Sequence, residues 1–152
     1  AATMVGQSLG ARDPARAEEA VWTAARYNLA FLGGLGVLFV VFAPAILAVF
    51  TTDPAVAHVG VLGLRIIGLG FPMYAYGMTL TQSFNGAGDT WTPTWINVFA
   101  FWVFEIPLAW LLAYRTDLGY RGPFLAVVLA YSALAIVSAV IFRRGRWKAK
   151  VV

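Results

Sequence analysis

Four long stretches almost free of charge constrain this chain more than any other feature. They cover residues 29–50, 66–88, 90–114 and 122–142, and the third alone contains a charged side chain, Glu105. A helix needs about 20 apolar residues to cross a hydrocarbon core of about 30 Å. Because backbone groups in lipid must be satisfied within the segment, stretches of this length predict helices. We therefore expect an all-α, polytopic transmembrane helix bundle with four spanning helices.

Composition and the cysteine count narrow the class further. Apolar residues make up 61% of the 152 and charged residues 12%, with a mean hydropathy of +0.76, whereas soluble domains are roughly 25% charged. Cysteine is absent, which excludes disulfides and thiolate metal sites. The opening AATMVGQSLG has neither an initiator Met nor a signal-peptide pattern. We interpret it as the end of a helix whose beginning is missing, and so expect a fragment.

The prolines predict where helices begin. Asp, Thr or Gly precedes proline at residues 13–14, 53–54, 92–93 and 122–123, and proline at the first helical position loses no hydrogen bond. Pro44, Pro72 and Pro107 fall inside spans, and kinks at the last two would free carbonyls to face a cavity. The expected elements are the end of a preceding helix (1–10), an amphipathic start plus span (14–50), three further spans (54–84, 93–114 and 123–142) and a basic cytoplasmic tail (143–152).

Glu105 is the first candidate for a functional residue. A carboxylate inside an apolar span is costly unless it is paired or neutralised, so it marks a site by default. Two interpretations remain open. In one, Glu105 binds a proton or the positive group of a substrate, and the two exclude each other. In the other, it is a permanent ion-pair partner of Arg65 on the preceding span and only fixes helix register.

Polar and aromatic side chains recur at helical spacing on three spans, which predicts a common lumen. Small residues on the second span (Gly63, Gly70 and Gly77) recur every seven residues on the opposite face and predict close contact with another helix. The alternative is that the hydroxyls bond to carbonyls of their own helix and that the rings are ordinary packing. The candidate lines are Arg65, Pro72, Tyr76, Thr79 and Ser83; Asn97, Phe101 and Glu105, with Trp102 nearby; and Phe124, Tyr131 and Ser138.

From these lines we select candidate residues for an ion or substrate site, and we expect no catalytic or metal site and no cofactor. His58 has no second His or carboxylate cluster near it, and no base accompanies a nucleophile in the spans, so we expect no enzyme. The glycine-rich turn at 86–89 lacks the Lys of a phosphate loop. It echoes residues 7–13 as a structural turn motif, comprising Gly10, Asp13, Gly86, Gly88, Asp89 and Pro93. The site candidates are Glu105, Arg65, Tyr76, Thr79, Trp102, Tyr131 and Ser138.

Basic residues in the loops predict the orientation of the chain. Positive residues concentrate on the cytoplasmic side of membrane proteins, which here places the C-terminus in the cytoplasm. Lipid headgroups account for the basic tail and the net charge of +4 without a nucleic-acid partner. One edge receives Arg12, Arg16, Arg26, Arg143, Arg144, Arg146, Lys148 and Lys150, with Trp22, Trp91, Trp95 and Trp147; the other receives Arg115 and Arg121, with Trp110, Tyr114 and Tyr120.

Three ordered motifs give the chain a family resemblance. VGQSLGARDPARAEEA, FNGAGDTWTPT and FWVFEIPLAWLLAY together resemble the multidrug and toxic compound extrusion (MATE) family. The resemblance implies twelve helices in two lobes and ion-coupled export, by proton or sodium antiport, of cationic or amphipathic compounds through alternating access. By that likeness the chain is similar to the last four helices of the C-terminal lobe. The implied partners are membrane lipids, a small cationic or amphipathic substrate and a missing N-terminal lobe, in the inner membrane of a prokaryote.

One departure from the family bears on the coupling ion. Some sodium-linked members carry an acid on the tenth helix, and the corresponding position here is Tyr74 or nearby, in a span without a carboxylate. This favours proton coupling. If coupling depends on this lobe, Glu105 is the remaining intramembrane acid; the alternative is a coupling residue in the missing helices. Two alternatives are kept: a lipid-linked-sugar flippase of the wider fold, which needs a more basic lumen than Arg65 provides, and a non-transporting membrane scaffold.

Overall fold

The computed structural model describes residues 1–149, and within this range every regular element is a helix. The runs 14–50, 54–86, 91–114 and 121–143 are each long and apolar enough to cross a membrane, which confirms the predicted all-α bundle. Of the predicted tail (143–152), residues 150–152 lie outside the described residues. The elements are α1 (Ala2–Gly10), α2 (Pro14–Phe50), α3 (Pro54–Gly86), α4 (Trp91–Asn97), a π-helical segment (Val98–Glu105), α5 (Ile106–Tyr114), α6 (Arg121–Arg143) and a 3-10 turn (Arg146–Ala149).

Two helices begin as the aspartate–proline pairs predict, and two begin earlier. Asp13 Oδ1 accepts from the Arg16 N–H at 2.9 Å, and Asp53 Oδ1 accepts from the Ala55 N–H at 2.8 Å. By contrast, α4 starts at Trp91 rather than Pro93, and α6 starts at Arg121 rather than Pro123.

Asp89 explains the earlier start of α4. Its Oδ1 accepts from the Thr92 N–H at 3.1 Å and its Oδ2 from the Thr92 hydroxyl at 2.7 Å. A carboxylate placed ahead of the first turn satisfies backbone N–H groups that have no helical partner. The residue that caps this helix end is therefore Asp89 and not Thr92, the residue before the proline.

The spans are arranged with α3 in the middle. One side of α3 packs against α2 and the other against α6, while α5 and the π-helical segment pack mainly on α6. The short connection between α3 and α4 brings only the beginning of the third span close to α3. A short connection between consecutive spans favours direct contact along their length. Here, however, α6 lies between α3 and most of the third span.

Glycines set both close contacts of α3. A Cβ atom on Gly77 would lie 2.9 Å from the Ala135 nitrogen, and Gly63 and Gly70 likewise face α6, which confirms the predicted packing face. On the other side, a Cβ atom on Gly36 of α2 would lie only 2.4 Å from the Gly68 carbonyl oxygen. Small residues allow helix backbones to approach closely in membranes. Both interfaces therefore depend on glycines, which have no side chain to hold the helices apart.

The third span departs from a regular α-helix. Residues Val98–Glu105 form a π-helix just before Pro107, which has no N–H to donate to the Val103 carbonyl. A missing backbone N–H of this kind is a common cause of irregular helix turns. In a π-helix the backbone hydrogen bonds join residues five apart instead of four. The predicted line through Asn97, Phe101 and Glu105 therefore enters a π-helical segment instead of continuing along a regular α-helix.

The end of the described chain folds back against α2 and α6. Gly145 adopts a φ of 72°, and Trp147, 2% exposed, stacks on Phe142 with ring centroids 4.7 Å apart. The Trp147 Nε1 donates to the Phe142 carbonyl at 3.0 Å, and Lys148 Nζ pairs with Glu18 of α2. Trp147 is therefore a core residue, and its predicted position at the cytoplasmic membrane edge stays a prediction.

Candidate functional site

Glu105 lies where the π-helical segment ends, with a half-buried side chain on a span that is otherwise free of charge. Tyr131 of α6 is close enough to interact electrostatically with its carboxylate. Within residues 1–149, the Glu105 carboxylate makes no hydrogen bond or ion pair. An acid in this setting retains its charge only with a cation or polar groups nearby, and otherwise takes up a proton.

Tyr131 also belongs to an aromatic cluster (Tyr74, Phe101 and Tyr131). The Tyr131 ring centroid lies 4.7 Å from that of Tyr74 and 6.4 Å from that of Phe101, with the second pair edge to face. The cluster joins α3, α6 and the π-helical segment. Aromatic faces attract organic cations and phenolic hydroxyls both donate and accept hydrogen bonds. The carboxylate and the cluster together suit a proton or an organic cation.

Arg65 is engaged elsewhere. Its Nε donates to the Val40 carbonyl of α2 at 3.1 Å, and the structure does not form the ion pair with Glu105. Val40 is four residues before Pro44, which has no N–H, so this carbonyl lacks its helical donor. Arg65 replaces that donor across the helix interface. The spacing of Val40 and Pro44 in the sequence indicates a carbonyl without its helical donor. The sequence does not indicate which side chain reaches that carbonyl.

Thr79 joins two helices. It is buried, and its hydroxyl donates to the Ala75 carbonyl at 2.9 Å and accepts from Asn28 Nδ2 at 3.0 Å. Asn28 Nδ2 also lies 3.1 Å from the Ala75 carbonyl. Asn28 is not among the predicted site residues, although a carboxamide at the start of an apolar run is a typical interhelical donor. Both residues border a cavity of about 270 Å³ between α1, α2 and α3.

The remaining hydroxyls of α3 bond to carbonyls of their own helix, and one of them also meets Ser138 of α6. Thr81 Oγ1 donates to the Gly77 carbonyl at 2.7 Å, so its one hydrogen is used and Ser138 donates to Thr81 across 3.0 Å. Ser138 is completely buried. Ser83 donates to the Leu80 carbonyl of its own helix at 2.5 Å. The alternative of hydroxyls bonded to their own helix therefore describes α3 better than a polar lining does.

The two remaining candidates lie outside the aromatic cluster. Tyr76 packs against Trp22 of α2, with ring centroids 6.0 Å apart. Trp102 is 71% exposed on the outer surface of the third span. Of the seven candidates, the structure brings only Glu105 and Tyr131 together, and it adds Tyr74 and Phe101.

The turn motif has structural roles at the ends of α1 and α3. A Cβ atom on Gly86 would lie 2.3 Å from the Ala2 carbonyl oxygen, and Gly88 adopts a φ of 74°. Gly10 is the last residue of α1. Pro93 is buried in the first turn of α4, and Asp13 and Asp89 cap the helices that follow them. Among the described residues, no group of three or more His, Cys, Asp or Glu side chains is arranged to hold a metal.

Comparison with known proteins places this architecture among transporters. The family model MatE matches residues 1–111. The chain is similar to a probable multidrug resistance protein NorM of Caulobacter vibrioides, with 30% identity over 97% of the chain. It is also similar to the probable NorM of Thermotoga maritima, with 24% identity over 82% of the chain, and to a probable multidrug resistance protein, YoeA, of Bacillus subtilis, with 25% identity over 95%.

Two solved structures share the fold. One is an inward-facing multidrug resistance MATE family transporter, with a TM-score of 0.89, 22% identity and 97% of this chain covered. The other is the MATE transporter ClbM in complex with Rb⁺, with a TM-score of 0.88, 24% identity and the same coverage. The chain spans about a third of each match: 31%, 27% and 31% of the three relatives and 34% and 35% of the two structures.

Proposed function

Because this chain belongs to the MATE family, we propose that it forms part of a transporter exporting cationic or amphipathic compounds by alternating access, coupled to the entry of protons. The chain is an integral membrane protein by its family and its four apolar helices. The names of its relatives support multidrug export as the activity. Alternating access needs a partner lobe, and we propose that the remaining helices of the family architecture supply it.

The observation that carries proton coupling is the Glu105 carboxylate without an ion-pair partner among the described residues, beside Tyr131. When protonated, the side chain is neutral and has no attraction for a cation. When ionised, it attracts the positive group of a substrate, and the aromatic cluster offers ring faces to it. Proton and substrate then exclude each other, which is the requirement for antiport. The absence of a carboxylate at Tyr74 supports a proton over sodium.

The flippase alternative is not favoured. It needs a larger and more basic lumen than Arg65 provides, and the Arg65 Nε is bonded to the Val40 carbonyl. A non-transporting scaffold would give Glu105 a helix-bonding partner, which residues 1–149 do not provide.

Glu105→Gln is expected to reduce proton-driven export of a lipophilic cation at least tenfold, about 1.4 kcal/mol of lost coupling. Glutamine retains the size of the side chain but cannot exchange a proton. The measurement is ethidium efflux from proteoliposomes that contain the full-length protein, with either a proton or a sodium gradient imposed. Asp117→Asn, the same chemical change in the exposed connection after α5, is the control and is expected to retain normal export.

Sodium-driven export that survives Glu105→Gln would contradict proton coupling through this residue. Loss of efflux in both Glu105→Gln and Asp117→Asn would show a general effect of charge and would also contradict the proposal. Measurement of proton release on substrate addition adds a second readout, which is expected to disappear in Glu105→Gln alone.

We further propose that the C-terminus is cytoplasmic, in the inner membrane of a bacterium. The basic side chains at the α2 start and the α6 end support this orientation. This chain contains no cysteine, so single replacements in the full-length protein report topology once any cysteine elsewhere in it has been replaced by serine. In intact cells, Asp117→Cys is expected to react with a membrane-impermeant maleimide and Arg12→Cys only after the cells are opened. The reverse labelling pattern would show the opposite orientation and contradict the proposal.

A further inference from the structure

A second cavity lies between the end of α3, α4, the start of the π-helical segment and the end of α6. It has a volume of about 580 Å³, within the range of roughly 300–1,000 Å³ typical of ligand sites. Its apolar wall is formed by the side chains of Ile96, Phe99, Val137 and Ile141. Its rim carries Trp91, Trp95, Arg144 and Arg146.

The fold of the last described residues places both arginines at this rim. Arg144 follows the end of α6, Gly145 turns the chain with a φ of 72°, and Arg146 begins the 3-10 turn. Trp147, buried against Phe142, anchors the turn. Both arginines are exposed, and within residues 1–149 neither guanidinium makes an ion pair or hydrogen bond. Two cations are therefore presented at the mouth of an apolar cavity.

Asp89 contributes one carboxylate to the lining of the same cavity. Both of its oxygens accept hydrogen bonds from Thr92, at the N-terminus of the third span, where a negative group is favourable. Among the described lining residues, two arginines stand against this one carboxylate. The excess of positive charge favours an anionic ligand over a cationic one.

The position of the cavity indicates what kind of anion fits. Trp91 and Trp95 are 72% and 64% exposed, and tryptophan with arginine at the end of an apolar span marks the membrane–water interface. The apolar wall continues from this edge into the span. A ligand matching both parts has an anionic group at headgroup depth and a hydrocarbon chain below it.

We propose that this cavity binds an anionic phospholipid, with its phosphate at Arg144 and Arg146 and an acyl chain along Phe99, Val137 and Ile141. Basic pockets between spanning helices are suited to such headgroups. The proposal requires only that the chain spans a membrane, and it does not depend on the substrate or coupling ion of the transporter.

The test is native mass spectrometry of the full-length protein after delipidation and titration with phosphatidylglycerol or phosphatidylcholine. Arg144→Gln/Arg146→Gln is expected to weaken phosphatidylglycerol binding roughly 25-fold, about fivefold for each basic side chain near an anionic surface. The matched control is Arg115→Gln/Arg121→Gln, which removes the same charge beside Trp110 and Tyr120 at the opposite edge. This control is expected to bind as the unchanged protein does.

Arg144→Lys/Arg146→Lys retains the charge and is expected to restore most of the binding, which guards against a folding defect in the glutamine variant. Equal losses in the two glutamine variants would overturn the proposal, as would equal binding of the two lipids or failure of the lysine variant. Complete competition by millimolar inorganic phosphate would also overturn it, since the site would then recognise free phosphate. Transport is not measured, so these outcomes are independent of the proposed function.

Discussion

Gly36→Ala is expected to lower the free energy of unfolding by about 3 kcal/mol, the upper end of the range for inserting a methyl group into a packed contact. The new Cβ atom would lie 2.4 Å from the Gly68 carbonyl oxygen, 3.3 Å from its carbon and 3.5 Å from the Phe71 Cβ atom. The nearest atom belongs to the backbone and cannot move aside by a rotamer change. The methyl group must therefore force α2 and α3 apart, which weakens the contact along their length.

The local chemistry of α3 explains why this carbonyl is so close to α2. Gly68 lies four residues before Pro72, and proline has no N–H to donate to it. The Gly68 carbonyl is thus released from the regular pattern of its own helix where Gly36 approaches. A proline on one helix and a glycine on the next together create the crossing.

The measurement for Gly36→Ala is thermal or denaturant unfolding in detergent, with Gly34→Ala as the matched control. No atom lies within 4 Å of the Cβ position at Gly34, and alanine is the better helix former by about 1 kcal/mol. We expect the control to be neutral or slightly stabilising. Equal destabilisation by both variants would contradict the close contact, because the effect would then be a general one of losing glycine.

Arg65→Met is expected to cost about 2 kcal/mol, within the range for a hydrogen bond that involves a charged group. The change removes the donor at 3.1 Å from the Val40 carbonyl and retains an apolar side chain of similar length. That carbonyl then has neither Arg65 nor a backbone donor, because residue 44 is proline. A carbonyl without a partner inside a span is the source of the cost.

The decisive measurement is a double-mutant cycle with Pro44→Ala, which restores an N–H four residues after Val40. In that background the loss caused by Arg65→Met is expected to fall by at least about 1 kcal/mol, since the carbonyl then has its helical donor. The control is Arg26→Met: Arg26 Nε bonds to the Trp22 carbonyl of its own helix at 3.4 Å, so we expect little change. An undiminished loss from Arg65→Met in the Pro44→Ala background would show that Arg65 does not replace the missing donor.

The aspects of this protein that the sequence determined are those governed by near neighbours along the chain. Apolar length decided the number of spans, because each span must satisfy its own backbone. Asp13 and Asp53 cap their helices as the residue pairs indicate. The seven-residue recurrence of Gly63, Gly70 and Gly77 identified a real helix contact. Glu105 was identified for the same reason, because the free-energy cost of a carboxylate inside a span follows from the apolar residues around it in the sequence.

Only the tertiary structure decided which partner each polar side chain finds. Arg65 meets the Val40 carbonyl instead of Glu105, Thr79 meets Asn28, and Tyr74 joins the aromatic cluster beside Tyr131. Helical spacing gives the face on which a side chain lies but not the helix that faces it. That choice depends on the order of packing, in which α6 separates α3 from the third span, and on the π-helical register before Pro107. Both are properties of assembled helices, because close packing and the carbonyls released by proline act between segments distant in the chain.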